Sequence, residues 1–221
     1  MIKFFAKKIK GDNFIIDNKI PMSYLLSLVI SYALDLIRGF VRINSRVFIS
    51  KGVKLKCKNN ISLGRFCKVK EYCYLDGLSK NGINIGLNGS IGPYTRIECT
   101  GSIRDIGIGI TIGDNFGVGA YSFFGAAGGI SIGNNVIIGQ YVSFHSENHS
   151  FDDMSKVIRE QPVTRKGIIL GNDIWVGSKV TFLDGTELNN RTIVAAGSVV
   201  NKKFPPNVII AGVPAKIIGS C

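Results

Sequence analysis

Residues 168–219 read I-I-L-G-N-D-I-W-V-G-S-K-V-T-F-L-D-G-T-E-L-N-N-R-T-I-V-A-A-G-S-V-V-N-K-K-F-P-P-N-V-I-I-A-G-V-P-A-K-I-I-G. Apolar residues recur in this stretch at intervals of six, at Leu170, Val176, Phe182, Leu188, Val194 and Val200. A second register stands four residues after the first, at Ile174, Val180, Thr186, Thr192 and Ser198. Neither a helix nor an alternating strand produces a period of six. A solenoid with three short strands per coil does, because each side of the coil then begins with the same inward-facing position.

The six-residue interval extends back along the chain to about Val47. The runs I-G-D-N at 112–115 and I-G-N-N at 132–135 predict corners, because Asn and Gly tolerate left-handed backbone angles. Cys67 and Cys73 are six residues apart, and we expect them to be small core residues stacked as neighbours. Each triplet of apolar positions predicts one turn of a three-sided prism: Leu63, Val69, Leu75; Ile85, Ile91, Ile97; Ile112, Val118, Phe124; and Ile132, Ile138, Phe144.

One interruption of the repeat is much longer than the others. Phe144 and Leu170 are 26 residues apart, where a continuing repeat needs six. Long insertions on a rigid scaffold are typical of functional loops, so this segment is predicted to carry the chemistry.

The composition sets limits on the class of protein. A chain of 221 residues suits one domain, or one domain with an appendage. Its 27 glycines and six prolines, without a tripeptide period, exclude collagen and fit a fold with many tight corners. The five cysteines form no C-x-x-C pair, and no secretion signal is recognised, which together indicate a reducing cytoplasm.

The positive charge is concentrated at one end of the sequence. Residues 1–70 hold 15 Lys and Arg against three Asp, whereas residues 71–221 hold 12 basic and 12 acidic residues. No recognition helix or aromatic-basic motif accompanies the surplus, so no nucleic-acid partner is predicted. Three explanations of the surplus stay open: attraction to an anionic membrane face, attraction to a phosphate-bearing substrate, or a basic surface that is only solvated.

The apolar run after Pro21 predicts a helix over residues 21–38, started by that proline. Read this way it falls short of the roughly 20 residues that a membrane-spanning helix needs. Two alternatives stay open: the helix packs on the end of the solenoid, or it lies at a bilayer surface.

Three motifs carry a resemblance to a known family. They are N-D-I-W-V-G-S at 172–178, A-A-G-S-V-V-N-K at 195–202 and P-P-N-V-I-I-A-G-V-P-A-K at 205–216. With the six-residue repeat and the loop before them, these motifs resemble the hexapeptide-repeat acyltransferases. The most similar members are bacterial sugar and polysaccharide O-acetyltransferases, such as the galactoside and maltose enzymes and those that modify O-antigen, capsule or exopolysaccharide.

The resemblance implies an all-β solenoid, a left-handed parallel β-helix with an N-terminal helical segment and a C-terminal cap. It divides the chain into a basic N-terminal segment (1–46), the β-helix (47–203, with an active-site loop at 145–168) and the cap (204–221). It also implies acetyl-CoA as acyl donor, no metal, and a homotrimer with active sites between neighbouring subunits. The implied location is the cytoplasm, with peripheral contact at the inner membrane as an open alternative.

Both histidines of the chain, His145 and His149, lie in F-H-S-E-N-H-S-F-D-D at the start of the long loop. Acyl transfer to a sugar hydroxyl needs a base, and histidine's unperturbed pKa of about 6.5 suits that task. The resemblance assigns the general base to His149 and places His145 at the acceptor pocket; the alternative for either is a solvated loop residue. A metal pair is disfavoured, because this Ser- and Asn-rich turn does not form a helix face.

A second group should orient the base through its other ring nitrogen. Glu160, which precedes Q-P-V as an acid often does in sugar acetyltransferases, is the first candidate by resemblance. Glu147, Asp152 and Asp153 are also near in sequence, and a solvated loop charge is the alternative for each.

Coenzyme A is a long anionic ligand that needs backbone donors and a few cations. The resemblance assigns its binding to Trp175 and to five further positions: Ser178, Ala196, Asn201, Lys202 and Lys216. Asn201 stands where relatives often have Thr, and Lys216 where they often have Arg. Trp175 is also implied at the acceptor, its alternative being a corner residue at the trimer interface.

The sequence therefore predicts an acetyl-CoA-dependent O-acetyltransferase acting on a sugar hydroxyl of a bacterial surface glycan. A xenobiotic (antibiotic) acetyltransferase and a non-catalytic β-helix scaffold are the alternatives. A serine acetyltransferase is disfavoured, because its large helical N-terminal domain does not fit into 46 residues.

Overall fold

The structure is a computed structural model, and it describes residues 17–221. The start of the predicted N-terminal segment, before residue 17, lies outside the described residues. Helix α1 (Met22–Ile43) follows Pro21, and two single-turn 3-10 helices cover Lys58–Asn60 and Ile158–Glu160.

The rest of the described chain consists of short strands and corners. The strands as far as the middle of the chain are β1 (Phe48–Ile49), β2 (Lys54–Lys56), β3 (Ile61–Leu63), β4 (Lys68–Val69), β5 (Tyr74–Asp76), β6 (Ile83–Ile85), β7 (Ser90–Ile91), β8 (Arg96–Glu98), β9 (Ile110–Ile112), β10 (Gly117–Val118), β11 (Phe123–Gly125), β12 (Ile130–Ile132) and β13 (Ile137–Ile138). The later strands are β14 (Ser143–His145), β15 (Asn148–His149), β16 (Val163–Thr164), β17 (Ile168–Leu170), β18 (Trp175–Val176), β19 (Thr181–Leu183), β20 (Glu187–Leu188), β21 (Ile193–Val194), β22 (Val199–Val200), β23 (Lys203–Phe204), β24 (Val208–Gly212) and β25 (Ala215–Ser220).

These strands form three sheets that the chain visits in turn. The first sheet has the order β1-β4-β7-β10-β13-β18-β21-β24-β25, the second β2-β5-β8-β11-β14-β19-β22 and the third β23-β20-β17-β12-β9-β6-β3. Every pairing in them is parallel except that of β24 with β25. The molecule is thus a three-sided solenoid of parallel strands, and the predicted coil organisation is confirmed. The division into segments 1–46, 47–203 and 204–221 stays a prediction.

The core consists of the positions that recur every six residues. On the second sheet, Phe124, Phe144 and Phe182 are aligned in the strand register, and their rings stack at centroid distances of 4.6 Å. All three side chains are fully buried. The spacing follows from the parallel strands, which lie about 4.8 Å apart and bring equivalent side chains into contact. The apolar residues that the six-residue interval predicted to face inward therefore form the core.

The corner between the third and first sheets uses asparagine, as the sequence predicts. Asn115 and Asn135 have φ values of 57° and 58°, within the left-handed region. Their side chains also form a ladder, in which Asn88 Nδ2 donates to Asn115 Oδ1 (3.1 Å) and Asn115 Nδ2 to Asn135 Oδ1 (3.0 Å). The residue type thus supplies both the backbone conformation and hydrogen bonds between coils.

The corner between the first and second sheets, the tyrosine corner, was not predicted. It is formed, from the first coil to the last, by Gly52, Tyr72, Tyr94, Tyr121, Tyr141, Lys179 and Gly197, all with positive φ. The left-handed conformation costs a non-glycine residue about 1–2 kcal/mol. Successive tyrosine rings stack nearly parallel at 4.9–5.2 Å, and each such pair returns about 0.5–1.5 kcal/mol. Stacking between coils therefore offsets part of the backbone strain.

The prediction for Cys67 and Cys73 is right about their burial and wrong about their stacking. Cys67 and Cys73 are both buried, as expected. They are not stacked, however, because six residues separate successive sides of one coil, whereas stacked residues are about 20 apart, as in the pair Val69 and Ile91. Burial raises the pKa of Cys73 to about 11 and that of Cys99 to about 12, which keeps both thiols protonated at neutral pH.

Helix α1 is longer than predicted. It continues to Ile43 and ends at Asn44, whose φ of 50° and N–H bond to Phe40 O close it. The expectation that it is too short to cross a membrane is wrong by length and composition, because the helix has 22 residues and an 18-residue window within it has a mean hydropathy of 1.6. The predicted apolar run ended at Asp35 and Arg38, but Asp35 accepts a hydrogen bond from Ser50 of the solenoid and Arg38 pairs with Asp35, so neither charge ends the helix.

Replacement of Phe144 by Ala should lower the free energy of unfolding by about 3–5 kcal/mol, because it opens a cavity in the middle of the phenylalanine stack. Urea titration followed by circular dichroism measures this. Phe66→Ala, at a side chain that is 52% exposed, is the matched control and should change the value by less than about 0.5 kcal/mol. Equal losses for the two variants would contradict the assigned core.

Candidate active site

The long loop between β14 and β17 is built around a small hairpin. Strand β15 pairs antiparallel with β16, and His149 lies opposite Val163. Ser150 N adds a hydrogen bond of 2.9 Å to Pro162 O. The segment that carries His149 is therefore a hydrogen-bonded arm at the corner between the second and third sheets, which we call the loop corner.

The tip of the loop is held by Gln161, whose side chain is buried. Its Nε2 donates to Asp153 O (3.0 Å) and Lys156 O (3.1 Å), and its Oε1 accepts from Asp153 N (3.1 Å). A single amide thus closes residues 153–161 into a compact turn next to the hairpin.

The end of the loop is anchored by Asp184 in the following coil. Its buried carboxylate accepts hydrogen bonds from Lys166 N (2.9 Å) and Gly167 N (2.8 Å). Hydrogen bonds to a charged acceptor are stronger than neutral ones. This carboxylate fixes the point at which the loop rejoins the solenoid.

Arg165 joins the hairpin to the preceding corner loop. Its Nε donates to Glu147 Oε2 (3.1 Å) and its Nη1 to Asp105 Oδ2 (2.7 Å), and the guanidinium side chain is only 15% exposed. Because one cation lies between two carboxylates, the base of the hairpin and the 101–109 loop are held together.

The two histidines are both exposed but differ in surroundings. His145 ends strand β14, and its ring lies 5.7 Å from that of Phe123 in the neighbouring coil. His149 projects from the hairpin. Within residues 17–221, no hydrogen bond or ion pair joins His149 to Glu160, which is exposed at the end of its 3-10 turn.

Two other carboxylates suggested for orienting His149 are engaged elsewhere. Glu147 is paired with Arg165. Asp153 accepts from the Ser155 hydroxyl (2.6 Å) and pairs with Lys156 (2.9 Å), and these contacts lower its pKa. The role of Glu160 stays a prediction.

Ser178 and Ala196 lie together on the tyrosine corner, immediately before Lys179 and Gly197. They stand at successive coil levels, where Gly197 N donates to Ser178 O (2.9 Å). The edge is narrow, because a Cβ at Gly177 would fall 2.6 Å from Ala196 N. The structure therefore brings these two predicted coenzyme residues into one column.

The remaining predicted coenzyme residues lie near the end of the solenoid. Asn201 and Lys202 are exposed after β22, and Lys202 Nζ lies 5.4 Å above the Phe204 ring. Lys203 is paired with Glu187 at 2.6 Å, so it differs from Lys202 in having a carboxylate partner. Lys216 is exposed on β25, opposite Ala211.

Trp175 is 58% exposed on the outer side of the first sheet, between Ile137 and Ile193 in the strand register. Ile137 is 63% exposed. An indole and a branched side chain thus form an apolar strip on the outer side of the first sheet.

The predicted site residues therefore fall into separate groups within one chain. Asn201 and Lys202 follow β22 and precede β23, so they lie between the second and third sheets, on the same edge as the loop corner but two coils further on. His149 and His145 lie at the loop corner, whereas Ser178 and Ala196 lie at the tyrosine corner, on the other edge of the second sheet. A single chain does not bring the base and the coenzyme column together. Residues 17–221 also contain no group of three or more His, Cys, Asp or Glu that could hold a metal ion.

Three residues that shape the loop were missed from the sequence: Gln161, Arg165 and Asp184. Their partners are backbone groups or residues far away in the chain, so spacing alone gives little signal. Asp184 does give a signal in the sequence, because it stands two residues after the inward-facing Phe182 and thus on the same side of the strand. A carboxylate at an inward position must find donors.

Comparisons with known proteins agree with this architecture, although no protein-family model matches the chain. The "Putative lipopolysaccharide biosynthesis O-acetyl transferase WbbJ" of Escherichia coli (strain K12) is 33% identical over 162 residues, which cover 70% of this chain and 79% of that protein. The galactoside O-acetyltransferase of the same organism is 34% identical over 92 residues, 40% of this chain and 43% of that protein.

Among solved structures, a point mutant of AntD, an N-acyltransferase from Bacillus cereus in complex with dTDP and coenzyme A, has a TM-score of 0.51 at 20% identity. The match covers 79% of this chain and 80% of that one. This likeness concerns the fold. The 33% identity to the Escherichia coli O-acetyl transferase, over more than two thirds of both chains, shows that the chain is an acyltransferase. It belongs to the hexapeptide-repeat acyltransferase family.

Replacement of Asp184 by Asn should loosen the end of the loop, because an amide NH₂ group would face a backbone donor. The unpaired donor should lower the free energy of unfolding by about 1–3 kcal/mol. Hydrogen exchange at Lys166 and Gly167 should accelerate, which mass spectrometry of the 165–184 peptides measures. Asp173→Asn is the control, since Asp173 is exposed with a φ of 56° that Asn tolerates. Unchanged exchange in Asp184→Asn would contradict the anchoring role.

Proposed function

We propose that this protein is an acetyl-CoA-dependent O-acetyltransferase that modifies a sugar hydroxyl of a bacterial surface glycan. The observation that carries the proposal is the hydrogen-bonded hairpin that holds His149; the resemblance to the family assigns the catalytic histidine to this residue. The name of WbbJ, which refers to lipopolysaccharide biosynthesis, supports the glycan class. The galactoside O-acetyltransferase supports a sugar acceptor.

In this mechanism the imidazole of His149 takes the proton from the sugar hydroxyl. The oxygen attacks the thioester carbonyl, and a backbone N–H stabilises the negative charge that develops on the carbonyl oxygen. The C–S bond then breaks, and the proton on His149 passes to the departing coenzyme A sulfur. The protein contributes a fixed base and excludes competing geometries, whereas coenzyme A supplies the activated acyl group.

The binding roles follow the resemblance, and each group of residues is given one role. Coenzyme A lies along the tyrosine corner at Ser178 and Ala196, with its anionic end toward Asn201, Lys202 and Lys216. The position of Lys202 supports this assignment, because its ammonium has no carboxylate partner among the described residues.

The acceptor sugar lies against His145 and Trp175. Both side chains are exposed, and both present a flat apolar face together with a polar atom. Glu160 orients His149 once the site is assembled. The assignment of Glu160 depends on the family position, since the two groups are not joined in the single chain.

The assembled enzyme is a homotrimer with sites between subunits. The support is geometric: His149 and the coenzyme column occupy different edges of one prism, so a neighbouring chain has to supply one of them. The exposed apolar strip of Ile137 and Trp175, on the outer side of the first sheet, is suited to a subunit contact. The hand of the coils is left, as in the family. The enzyme works on the cytoplasmic side, where its five free cysteines stay reduced.

Replacement of His149 by Ala should lower the rate of acetyl transfer by about 10²–10⁴-fold while coenzyme A binding is retained, because only the base is removed. Thiol release from acetyl-CoA with a panel of sugars and glycan fragments measures the rate, and calorimetry measures binding. His145→Ala is the matched control and should raise KM more than it lowers kcat. Undiminished transfer by the His149 variant would refute the proposed base.

Subunit mixing tests the shared site. His149→Ala and Ala196→Trp should each be inactive, one lacking the base and the other having the coenzyme column blocked. Co-expression should restore about a quarter of the wild-type rate, since a random mixture gives that share of interfaces two intact halves. Mixing His149→Ala with His149→Asn is the control and should restore nothing. Absence of recovery in the first mixture, with mixed trimers verified by native mass spectrometry, would place the whole site in one chain.

A further inference from the structure

The polarity of α1 is the reverse of that expected for a helix packed on a soluble protein. A helix of that kind turns its apolar side to the core and its charged side to water. In α1 the charged residues are Asp35, Arg38 and Arg42: Asp35 and Arg42 bond to the solenoid, and Arg38 pairs with Asp35.

Each of these charges is bonded on the inner side. Asp35 is buried and accepts from Ser50 Oγ (2.7 Å) and from Arg38 Nη1 (2.7 Å). Arg42 Nη1 donates to Val53 O, the carbonyl at the start of the first coil's second side (2.8 Å). The charged side chains of the helix are therefore already bonded, to the solenoid or to each other, on its inner side.

The opposite side of α1 is apolar from Leu26 to Val41. Positions 26, 30, 33, 37 and 41 recur at helical spacing and define one face, which we call the outer face of α1. They are Leu26, Ile30, Ala33, Ile37 and Val41, and the four larger side chains are between 52% and 80% exposed. Such a contiguous exposed apolar strip indicates an interaction surface.

The attachment of α1 decides between crossing a bilayer and lying on it. A Cβ at Gly39 would overlap the carbonyl oxygen of Val47, so the helix lies in direct backbone contact with the first coil. The ring of Tyr32 packs edge-on against Phe48 at 5.5 Å. A helix bound side-on along its length would carry Asp35, Arg38 and Arg42 into hydrocarbon if it spanned the membrane, which is unfavourable for each charge. The geometry fits a helix that lies in the plane of the interface.

The charge around α1 identifies the kind of surface. Among residues 17–70 there are 11 Lys and Arg against two Asp, and one of those two is the buried Asp35. The exposed cations of the first coil are Arg46, just before the first sheet, and Lys51, Lys54, Lys56 and Lys58, on the second sheet and its corners. An apolar strip beside a cluster of cations is complementary to an anionic lipid surface, and two such signals together give stable attachment where one does not.

We propose that the outer face of α1 and the cations of the first coil form a peripheral membrane-binding surface for anionic bilayers, with α1 lying in the interfacial plane. This goes beyond the proposed acetyl transfer and does not depend on it. It places the first coil at the bilayer and the active-site loop four coils away, on the order of 20 Å from the lipid surface at the strand spacing of about 4.8 Å per coil.

The test uses the full chain and sedimentation with vesicles of phosphatidylglycerol and phosphatidylcholine. The wild-type protein should bind vesicles rich in phosphatidylglycerol and bind pure phosphatidylcholine at least about tenfold more weakly. Binding to the anionic vesicles should weaken when the salt concentration rises from 0.1 M to 1 M, because the screening length falls from about 10 Å to 3 Å. Absence of vesicle binding by the wild-type chain would overturn the proposal.

The double variant Ile30→Glu, Ile37→Glu places two acids on the outer face and should reduce the partition to anionic vesicles by at least about tenfold. Ile103→Glu is the matched control, since Ile103 is 86% exposed in the 101–109 loop, and it should bind as the wild type does. The competing occupant of the outer face is a second copy of this chain, and light scattering tests for it. If the wild type does not bind vesicles and the double variant has a lower mass in solution than the wild type, a second copy covers α1. Thiol release with a soluble sugar acceptor reports separately on the proposed enzyme activity.

Discussion

The stacking of equivalent side chains from coil to coil is the constraint on which the rest of the structure depends. Parallel strands bring each inward residue onto its counterpart in the next coil, as in the phenylalanine series of the second sheet. A shift by one residue would turn the apolar set outward. Extra residues are therefore tolerated only at corners, where they leave the strand register unchanged. The loop between β14 and β17 is such an insertion, and it stands on a rigid base for that reason.

The sequence predicted the parts of the fold that depend on local repetition. The six-residue interval predicted the coils and the inward-facing positions, and the Asn- and Gly-containing runs predicted the asparagine corner, because each is a property of residues a few positions apart. Which residues stack between coils was not predicted, since their separation depends on the length of a whole coil. The tyrosine corner was missed, since a bulky residue in a left-handed conformation is unfavourable in isolation and becomes acceptable only through rings in adjacent coils. The extent of α1 was missed for a similar reason: its charges find partners in residues 50 and 53, far from them in the local pattern.

For the candidate site, sequence and structure contribute different information. The residue types and motifs named His149, Ser178 and Lys202, and the structure shows where each of them lies. What the sequence could not provide is the division of these residues between two edges of the prism, which follows only from the order of the sheets. The same holds for Asp184, whose backbone partners at 166 and 167 are adjacent only after the coil has closed. Assembly and loop shape are thus tertiary properties.

The distribution of cysteines gives the molecule two built-in attachment points. Cys67, Cys73 and Cys99 are enclosed, and burial raises the pKa of each thiol, so reagents that require a thiolate reach them slowly. Cys57 and Cys221 are exposed, one beside the first coil and the other after the last strand. Two spectroscopic probes coupled to these native cysteines would therefore lie near opposite ends of the prism. The distance between them would report the length of the solenoid along its axis without any engineered residue.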